Sequence, residues 1–235
     1  MMDWFKFGDV DTRNFDIHIF NMNTDEAPAQ LVDEITIPGR NGSLLMQNHY
    51  FENVEHRYVG VIYENAAENL KWFRNKIMKN SGYQRLEDSI HNEEFYHARY
   101  IGGLEPKITP DRKMVKFVIE FSRKPQRFLK DGEKEIILSG TKSFENPTPF
   151  PAKPLIRVTG SGTLTLGSKT VTIASNSKPY IYIDSEMMDC YYSSDNCNNL
   201  VTFSDHNFPV FESGKSTLSY SGVSGVRVTP RWWAI

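Results

Sequence analysis

Apolar and polar residues alternate through much of the first half of the chain. This period of two predicts half-buried β-strands at residues 15–20, 33–37, 57–63, 94–101 and 114–121. Between the second and third of these strands, Pro38, Gly39 and the pair Asn41 and Gly42 predict a tight turn. Because proline cannot donate a hydrogen bond to a neighbouring strand, the last strand is predicted to end at Pro125.

One segment has helical spacing instead. Ala66, Leu70, Phe73 and Ile77 recur at intervals of three and four residues, which predicts a helix with one apolar face packed on a sheet. Asn65 can cap this helix, and Glu68 three residues later completes a pattern like a capping box.

The second half of the chain carries short strand-like runs separated by Gly, Ser and Pro, which is typical of an antiparallel sandwich. These runs are residues 135–138, 154–158, 163–166, 170–173, 180–183 and 225–228. We therefore expect a mainly β protein of two domains. Residues 1–130 would form a β-sandwich-like domain with one packed α-helix, and residues 131–235 an antiparallel β-sandwich.

The chain closes on Arg231, Trp232 and Trp233 after a strand-like run. Terminal residues fray unless something holds them. Paired tryptophans beside an arginine therefore predict a tail that is packed into a core or held against a partner chain.

Composition excludes several classes of protein. The formal net charge of -2 gives neither the basic excess typical of nucleic-acid binding nor an acidic tail. No apolar run approaches the ~20 residues that span a bilayer. The N-terminus lacks a basic segment followed by an apolar stretch, so we expect synthesis in a cytoplasm without a signal peptide.

Residues with metal-binding or redox chemistry are few. His91 and His97 flank Glu93 and Glu94, but in a strand the two histidines would lie ~20 Å apart, which favours a solvated acidic loop over a metal site. The two cysteines, Cys190 and Cys197, are predicted to be free thiols, with a hairpin disulfide as the alternative.

A search for catalytic motifs finds no nucleophile elbow, metalloprotease helix, phosphate-binding loop or dinucleotide fingerprint. Glu186 and Asp189 could act as the paired carboxylates of a glycosidase. The alternative is that they belong to a turn in which Asp184 and Ser185 bond local backbone amides. We predict a protein that is not an enzyme, with no catalytic residue, cofactor or metal.

Aromatic side chains are concentrated in the second half. They could line a sugar-binding face of the sandwich, although alternating tyrosines on strands more often form a core or an interface. These side chains are Tyr180, Tyr182, Tyr191, Tyr192, Phe203 and Phe208.

Several short segments follow one another in a distinctive order over most of the chain. They are an early strand leading into residues 37–42, the amphipathic helix, and residues 121–128, 146–162, 183–191, 208–214 and 226–233. This order resembles that of the distal tail (Dit) proteins of long-tailed, non-contractile bacteriophages.

The resemblance implies a galectin-like or carbohydrate-module-like second domain and a structural role. The N-terminal domains would join as a homohexameric ring, single or stacked, with a central channel through which DNA passes. The ring would sit at the virion tail tip, between the tail tube and the tail-associated or receptor-binding proteins, with the tape-measure protein as a further partner. It would be assembled in the host cytoplasm and would contact no membrane.

We therefore expect a tail-tip hub, with a carbohydrate-binding module for the bacterial surface as the alternative. A head-to-tail ring needs two different complementary surfaces, which strand pairing between chains can supply. The candidate hairpins for this contact are residues 95–119 and residues 39–50.

Overall fold

The computed structural model describes residues 3–22, 26–110 and 113–235. The chain folds as two compact units, Met1–Arg127 and Phe128–Ala234, each with its own hydrophobic core. The predicted mainly β fold with one packed α-helix is confirmed in the described part of the chain. No described helix combines the length and the apolar character needed to cross a bilayer.

Strands in the first unit follow one another closely in the sequence. In chain order the elements are β1 (Phe5–Phe7), β2 (Val10–Asp11), a 3-10 turn (Thr12–Phe15), β3 (Ile17–Met22), β4 (Gln30–Thr36), β5 (Ser43–Phe51), β6 (Val54–Ile62), α1 (Ala66–Lys79), β7 (Gln84–Asp88), β8 (Glu94–Gly102), β9 (Lys107–Ile108) and β10 (Val115–Leu129).

Most of these strands form one sheet in the order β2-β1-β7-β8-β10-β6-β3, with β9 paired to β10. Alternate residues of β10 are buried in the core, namely Val115, Phe117, Ile119 and Phe121. Strands β4 and β5 stand apart from this sheet as a two-stranded hairpin.

Helix α1 buries the predicted face, since Ala66, Leu70, Phe73 and Ile77 are all buried. Phe73 packs against Phe15 with ring centroids 5.6 Å apart. The predicted side-chain cap is wrong. Asn65 has a left-handed backbone (φ 46°) and its side chain makes no capping bond, whereas an N-cap side chain reaches the first turn from an extended backbone.

Gly60 lies directly opposite Phe117 in the pairing of β6 with β10. A Cβ atom at Gly60 would lie 2.6 Å from Cζ of Phe117. The aromatic ring therefore covers the bare glycine backbone, and no larger residue fits at position 60 unless the ring moves.

Pro125 does not end its strand, contrary to the prediction, because β10 continues to Leu129. Pairing of β10 with β6 stops at Arg123 and Val54. Beyond that pair the missing N–H of Pro125 breaks no hydrogen bond to β6, so the strand tolerates proline on that side.

The second unit consists of short strands. After a 3-10 turn (Lys130–Glu133) they are β11 (Ile136–Leu138), β12 (Lys142–Asn146), β13 (Leu155–Thr159), β14 (Gly162–Leu166), β15 (Lys169–Ile173), β16 (Ile181–Asp184), β17 (Asp189–Tyr192), β18 (Asp195–Asn196), β19 (Val201–Phe203), β20 (Gly214–Ser221), β21 (Gly225–Thr229) and β22 (Trp233–Ala234), with a further 3-10 turn at Asn198–Leu200.

Two antiparallel sheets form the sandwich predicted for this unit. One runs β11-β21-β13-β16-β17-β18 and the other β12-β20-β14-β15-β19. Alternate side chains of both sheets point inward and form the core, among them Ile156, Ile183, Leu164, Val171 and Leu218.

The C-terminal tail is part of this second core. Trp232 is 6% exposed and packs against Phe211 with ring centroids 5.3 Å apart. Its backbone passes so close to Gly132 that a Cβ there would lie 2.4 Å from the Trp232 nitrogen. The tail is thus tied down by its own chain, which is one of the two arrangements predicted for it.

Arg231 and Trp233 add polar contacts to the tail. Arg231 donates two hydrogen bonds to the Asp184 carboxylate, at 2.7 and 3.0 Å. Trp233 is only half-buried. It stacks on Phe150 at 4.6 Å and donates from Nε1 to the Pro151 carbonyl at 3.0 Å.

Candidate interaction surfaces

The two carboxylates considered for glycoside hydrolysis have separate structural partners. Glu186 pairs with Lys153 at 3.2 Å. Asp189 accepts hydrogen bonds from Asn196 at 3.2 Å and from Asn198 at 2.8 Å. Each carboxylate is therefore bonded to partners of its own.

The turn interpretation of this segment holds for Asp184, whose Oδ1 accepts from the backbone N–H groups of Glu186 and Met187 at 3.0 and 3.2 Å. Burial raises the pKa of Asp184, but the Arg231 guanidinium and the two backbone donors outweigh it and lower the pKa. Ser185 bonds differently from the prediction, because its hydroxyl donates to the Pro209 carbonyl at 2.7 Å.

The residues considered for a metal site lie along β8 and the turn before it. The Asp88 carboxylate accepts from the His91 backbone N–H at 2.9 Å, Glu94 lies 3.8 Å from Arg127, and Glu93 is exposed. Across residues 3–22, 26–110 and 113–235, no group of three or more His, Cys, Asp or Glu side chains could hold a metal ion.

Cys190 and Cys197 are both buried free thiols. Burial, with smaller contributions from Asp189 and Cys197, raises the pKa of Cys190 to about 12. A thiol that is neutral at physiological pH is a poor nucleophile, so Cys190 is part of the core and not a reactive site.

The six aromatic side chains considered for sugar binding fall into two separate groups. Phe203 and Phe208 pack on each other at 4.4 Å and lie against the core of the sandwich. The four tyrosines form a different cluster on the six-stranded sheet. Tyr192 lies against the same core, and the cluster of four tyrosines as a whole is the candidate binding surface that remains.

We define the tyrosine face as Arg157, Tyr180, Tyr182, Tyr191 and Tyr192. All five are half-buried, while the neighbouring Ile156, Val158, Ile181, Ile183 and Cys190 are buried in the core. Tyr182 lies opposite Tyr191 on the adjacent strand, with ring centroids 5.4 Å apart. The Arg157 guanidinium stacks on the Tyr180 ring at 3.9 Å.

The hairpin of β4 and β5, residues 30–51, is here named the arm. Every side chain described in β4 is exposed. Ile35 pairs directly with Leu44 across the two strands, and both side chains are 45% exposed. Met46 is 55% exposed. A two-stranded hairpin is at best marginally stable in water by itself, and contiguous exposed apolar surface is typical of interaction sites. The arm is therefore a candidate interaction surface.

Hydrogen bonds at the root of the arm fasten it to the first unit. The Glu52 N–H donates to the Ala29 carbonyl at 2.9 Å. Asn53 donates from Nδ2 to the Tyr83 hydroxyl at 2.7 Å and to the Ser122 hydroxyl at 3.2 Å. The first bond joins the two ends of the arm to each other, and the bonds of Asn53 connect its C-terminal end to the rest of the unit.

Arg123 bonds the chain segment that leads into the arm. It is 1% exposed, lies over the Tyr96 ring at 4.6 Å and donates from Nη2 to the Glu26 carbonyl at 2.7 Å. Its Nε and Nη1 have no hydrogen-bond partner among the described residues. A buried guanidinium with one bond is costly. In the sequence, Arg123 lies between a predicted strand and Pro125, and no pattern there indicates that its side chain is buried.

His56 lies beside this arginine and is equally buried, at 1% exposed. Burial and the neighbouring charge of Arg123 lower the pKa of His56 to about 3. The imidazole is therefore neutral in the folded protein, and it packs edge to face on Tyr58 at 4.5 Å.

Solved structures show where this fold occurs. The chain is similar to the Dit (gp 19.1) protein of phage SPP1, described as a paradigm of the hub adsorption apparatus in Gram-positive infecting phages, with TM-score 0.73, 9% identity and 100% of both chains covered. It is also similar to a chain of the phage P2 baseplate in its activated conformation with Ca, with TM-score 0.56, 9% identity, and 100% and 99% coverage. A structure of that baseplate with Sr gives TM-score 0.53.

No family model and no curated protein sequence matches the chain. The architecture is nevertheless a fold found in phage tail proteins, shared over the full length of this chain and of the SPP1 protein. Within that class the similarity is to the Dit fold, which confirms the resemblance read from the order of sequence segments.

Proposed function

We propose that this protein is a structural hub of a phage tail tip. Residues 1–130 would form a homohexameric ring around a channel for DNA, and residues 131–235 would face outward. The ring would join the tail tube and tape-measure protein to the tail-associated or receptor-binding proteins. Full-length similarity to the Dit fold supports the hub role.

The arm carries the proposal for a ring. Its apolar side chains are exposed along both strands, and the outer edges of β4 and β5 have no partner strand among the described residues. Exposed strand edges are templates for pairing with another chain. Of the two hairpins considered from the sequence, residues 39–50 fit this role because they belong to the arm.

Residues 95–119 fit it less well. They include most of β8 and part of β10, whose side chains Phe95, Phe117 and Ile119 are buried in their own unit. Strand β10 is paired with β6 on one side. A segment that is already part of a core has little surface left to offer a neighbour.

A hub that scaffolds other proteins needs no reactive group, and the carboxylates and thiols considered above have structural surroundings. We accordingly propose a role without catalysis. Virion tail-tip location and assembly in the host cytoplasm follow from the hub role and rest on it.

Solution mass across a concentration series tests the ring. Light scattering of the purified protein should give a mass near six subunits, or one that rises toward it with concentration. The double substitution Ile35→Ser with Leu44→Ser should remain a monomer and melt at the wild-type temperature, because both side chains are exposed on the arm.

Ile137→Ser is the matched control, because Ile137 is 66% exposed on the second unit. It should assemble as the wild type does. A wild-type chain that stays monomeric at every concentration, or an arm double variant that assembles normally, would contradict the proposal.

A further inference from the structure

Helix α1 carries large apolar side chains on the side that faces away from the core. We define the α1 outer face as Lys71, Trp72, Arg74, Asn75 and Met78, all of which are exposed. Trp72 is 54% exposed and Met78 62%. Of the four tryptophans, all of which lie in the described part of the chain, only Trp72 is exposed. Tryptophan is enriched at the energetic centres of protein interfaces, so this face is a candidate docking surface.

The charges of α1 are only partly explained by the helix itself. Glu68 lies in the first turn, and Lys76 and Lys79 lie in the last, where each complements the helix dipole. Lys71 and Arg74 lie in the middle of the helix, where the dipole gives no such advantage. Neither forms an ion pair within residues 3–22, 26–110 and 113–235. The α1 outer face therefore presents two cations beside Trp72.

One face of the arm has the complementary composition. Asp33 pairs directly with Met46, and Ile35 with Leu44. Because residues two apart on a strand share a face, these four side chains form an apolar surface that includes a carboxylate. Glu34 adds a second carboxylate, and β4 contains no Lys or Arg. The arm therefore offers apolar and acidic groups where α1 offers apolar and basic ones.

The two surfaces also match in length. The seven residues of β4 span about 23 Å at ~3.3 Å per residue. The fourteen residues of α1 span about 21 Å at ~1.5 Å per residue. A strand of the arm can therefore contact the helix along its whole length.

The arm does not cover the helix of its own chain, since Trp72 and Met78 are exposed with the arm in place. The arm and the α1 outer face are two different surfaces of one unit. A contact between them in neighbouring copies is heterologous, and repeats of such a contact close into a ring when the rotation permits it.

We propose that the α1 outer face receives the arm of a second copy of this chain. The carboxylates of β4 would lie near Lys71 and Arg74, and the apolar face of the arm would pack on Trp72. This inference rests on the proposed ring and names the surface on which the arm docks.

Paired charge reversal tests the docking by light scattering of the full chain. Like charges brought together at an interface cost several kcal/mol, so each reversal should raise the concentration needed for assembly at least about tenfold. The two reversals are Lys71→Glu with Arg74→Glu on the helix, and Asp33→Lys with Glu34→Lys on the arm. A chain with all four substitutions has opposite charges across the contact again and should regain assembly.

Lys107→Glu with Lys116→Glu is the matched control. Both lysines are exposed and lie opposite each other on β9 and β10, so the charge of the same unit changes by the same amount. This variant should assemble as the wild type does. Circular dichroism melting of every variant checks that the chain is folded.

Cross-linking gives a second measurement that keeps the charges of both surfaces. A chain with Met46→Cys and Asn75→Cys, treated with a short bismaleimide, should form a ladder of covalent species up to the full ring. A heterologous contact joins each subunit to two neighbours, which is why the ladder extends beyond a dimer. The native Cys190 and Cys197 are buried, and the two single-cysteine variants are the controls.

Failure of this docking is distinguishable from failure of the ring. If the helix reversal assembles at the wild-type concentration while Ile35→Ser with Leu44→Ser does not, the ring stands and the arm docks elsewhere. Loss of binding to the oligonucleotide dT10 in that helix variant would assign the cations to nucleic acid instead. A fourfold variant that assembles no better than either pair, or covalent species limited to dimers, would also overturn the docking. A wild-type chain that stays monomeric would overturn both proposals.

Discussion

The arm and the C-terminal tail use apolar side chains in opposite ways. In the tail, Trp232 is 6% exposed and packs on Phe211. In the arm, Tyr50 is 67% exposed and Met46 55%. The free energy from burying the tail is gained when the chain folds. In the proposed ring, the corresponding free energy of the arm would be gained only on assembly, when a second molecule covers it.

Deleting residues 230–235 should have the largest effect on stability, because it removes the buried side of this comparison. The deletion removes the buried Trp232, for which loss of the side chain alone costs about 3–5 kcal/mol, and it also removes the cation beside Asp184. Since domains are stable by about 5–15 kcal/mol, we expect the second unit to unfold or to melt far below the wild-type temperature. Circular dichroism and hydrogen exchange measure this directly.

Ile137→Ser controls for a change at an exposed position of the same unit and should shift stability by no more than about 0.5 kcal/mol. A shortened chain with the wild-type melting temperature would show that the tail is dispensable for folding.

Arg231→Leu should cause the second-largest loss of stability. It leaves the Asp184 carboxylate, whose side chain is 2% exposed, without its cation, at a cost of about 3 kcal/mol. The pKa of Asp184 is lowered below its ordinary value of 3.8, so the stabilisation is fully present above that pH and is lost as the pH falls through the folded-state pKa.

Denaturant titrations of the two chains between pH 7 and pH 2 check both parts of this prediction. The difference in free energy of unfolding between wild type and Arg231→Leu should narrow as the pH falls and Asp184 becomes protonated. Lys153→Leu breaks the exposed pair with Glu186 and should cost less than about 1 kcal/mol. A gap that stays constant down to pH 2 would contradict the assigned role of the ion pair.

Arg123→Met should change the free energy of unfolding by only about 1 kcal/mol. It should nevertheless make the segment that leads into the arm more mobile. Methionine relieves the cost of burying a guanidinium, but the hydrogen bond to the Glu26 carbonyl is lost. We expect faster proteolytic cleavage near residues 26–29 with little change in melting temperature. Arg57→Met, at an exposed arginine paired with Glu120, is the control. Equal cleavage of the two variants would show that Arg123 does not hold the root.

Replacing residues 30–51 with a short Gly-Ser link should have the smallest effect on stability. Because the described side chains of β4 are exposed, the free energy of unfolding should change by no more than about 0.5 kcal/mol. The melting temperature should shift correspondingly little. A loss of stability larger than about 2 kcal/mol would show that the arm belongs to the fold of its own chain.

Sequence periodicity was informative where burial follows alternation. The helix face from Ala66 to Ile77 and strands such as β6, β10, β13 and β16 were predicted because one side of each element is buried. Strands β1, β12 and β20 were not predicted. The arm has alternating residues too, yet it is exposed on both sides. Local sequence cannot distinguish a strand that packs on its own chain from one that awaits a partner.

Other features were not predicted, because they depend on which distant parts of the chain become neighbours in the fold. Pro125 was taken as a strand end because a proline removes a donor, but β6 had already stopped pairing with β10. Arg157 was not singled out, because its position opposite Arg227 depends on which strands become neighbours. The tail was predicted to be held, but its partners Gly132 and Asp184 are distant in sequence.

The ring of Phe117 over Gly60 couples two positions that are far apart in the sequence. A side chain can be added at position 60 only if the ring at position 117 becomes smaller or moves, so the two residues are expected to change together during divergence. Sequence comparison that scores each position separately cannot record such exchanges.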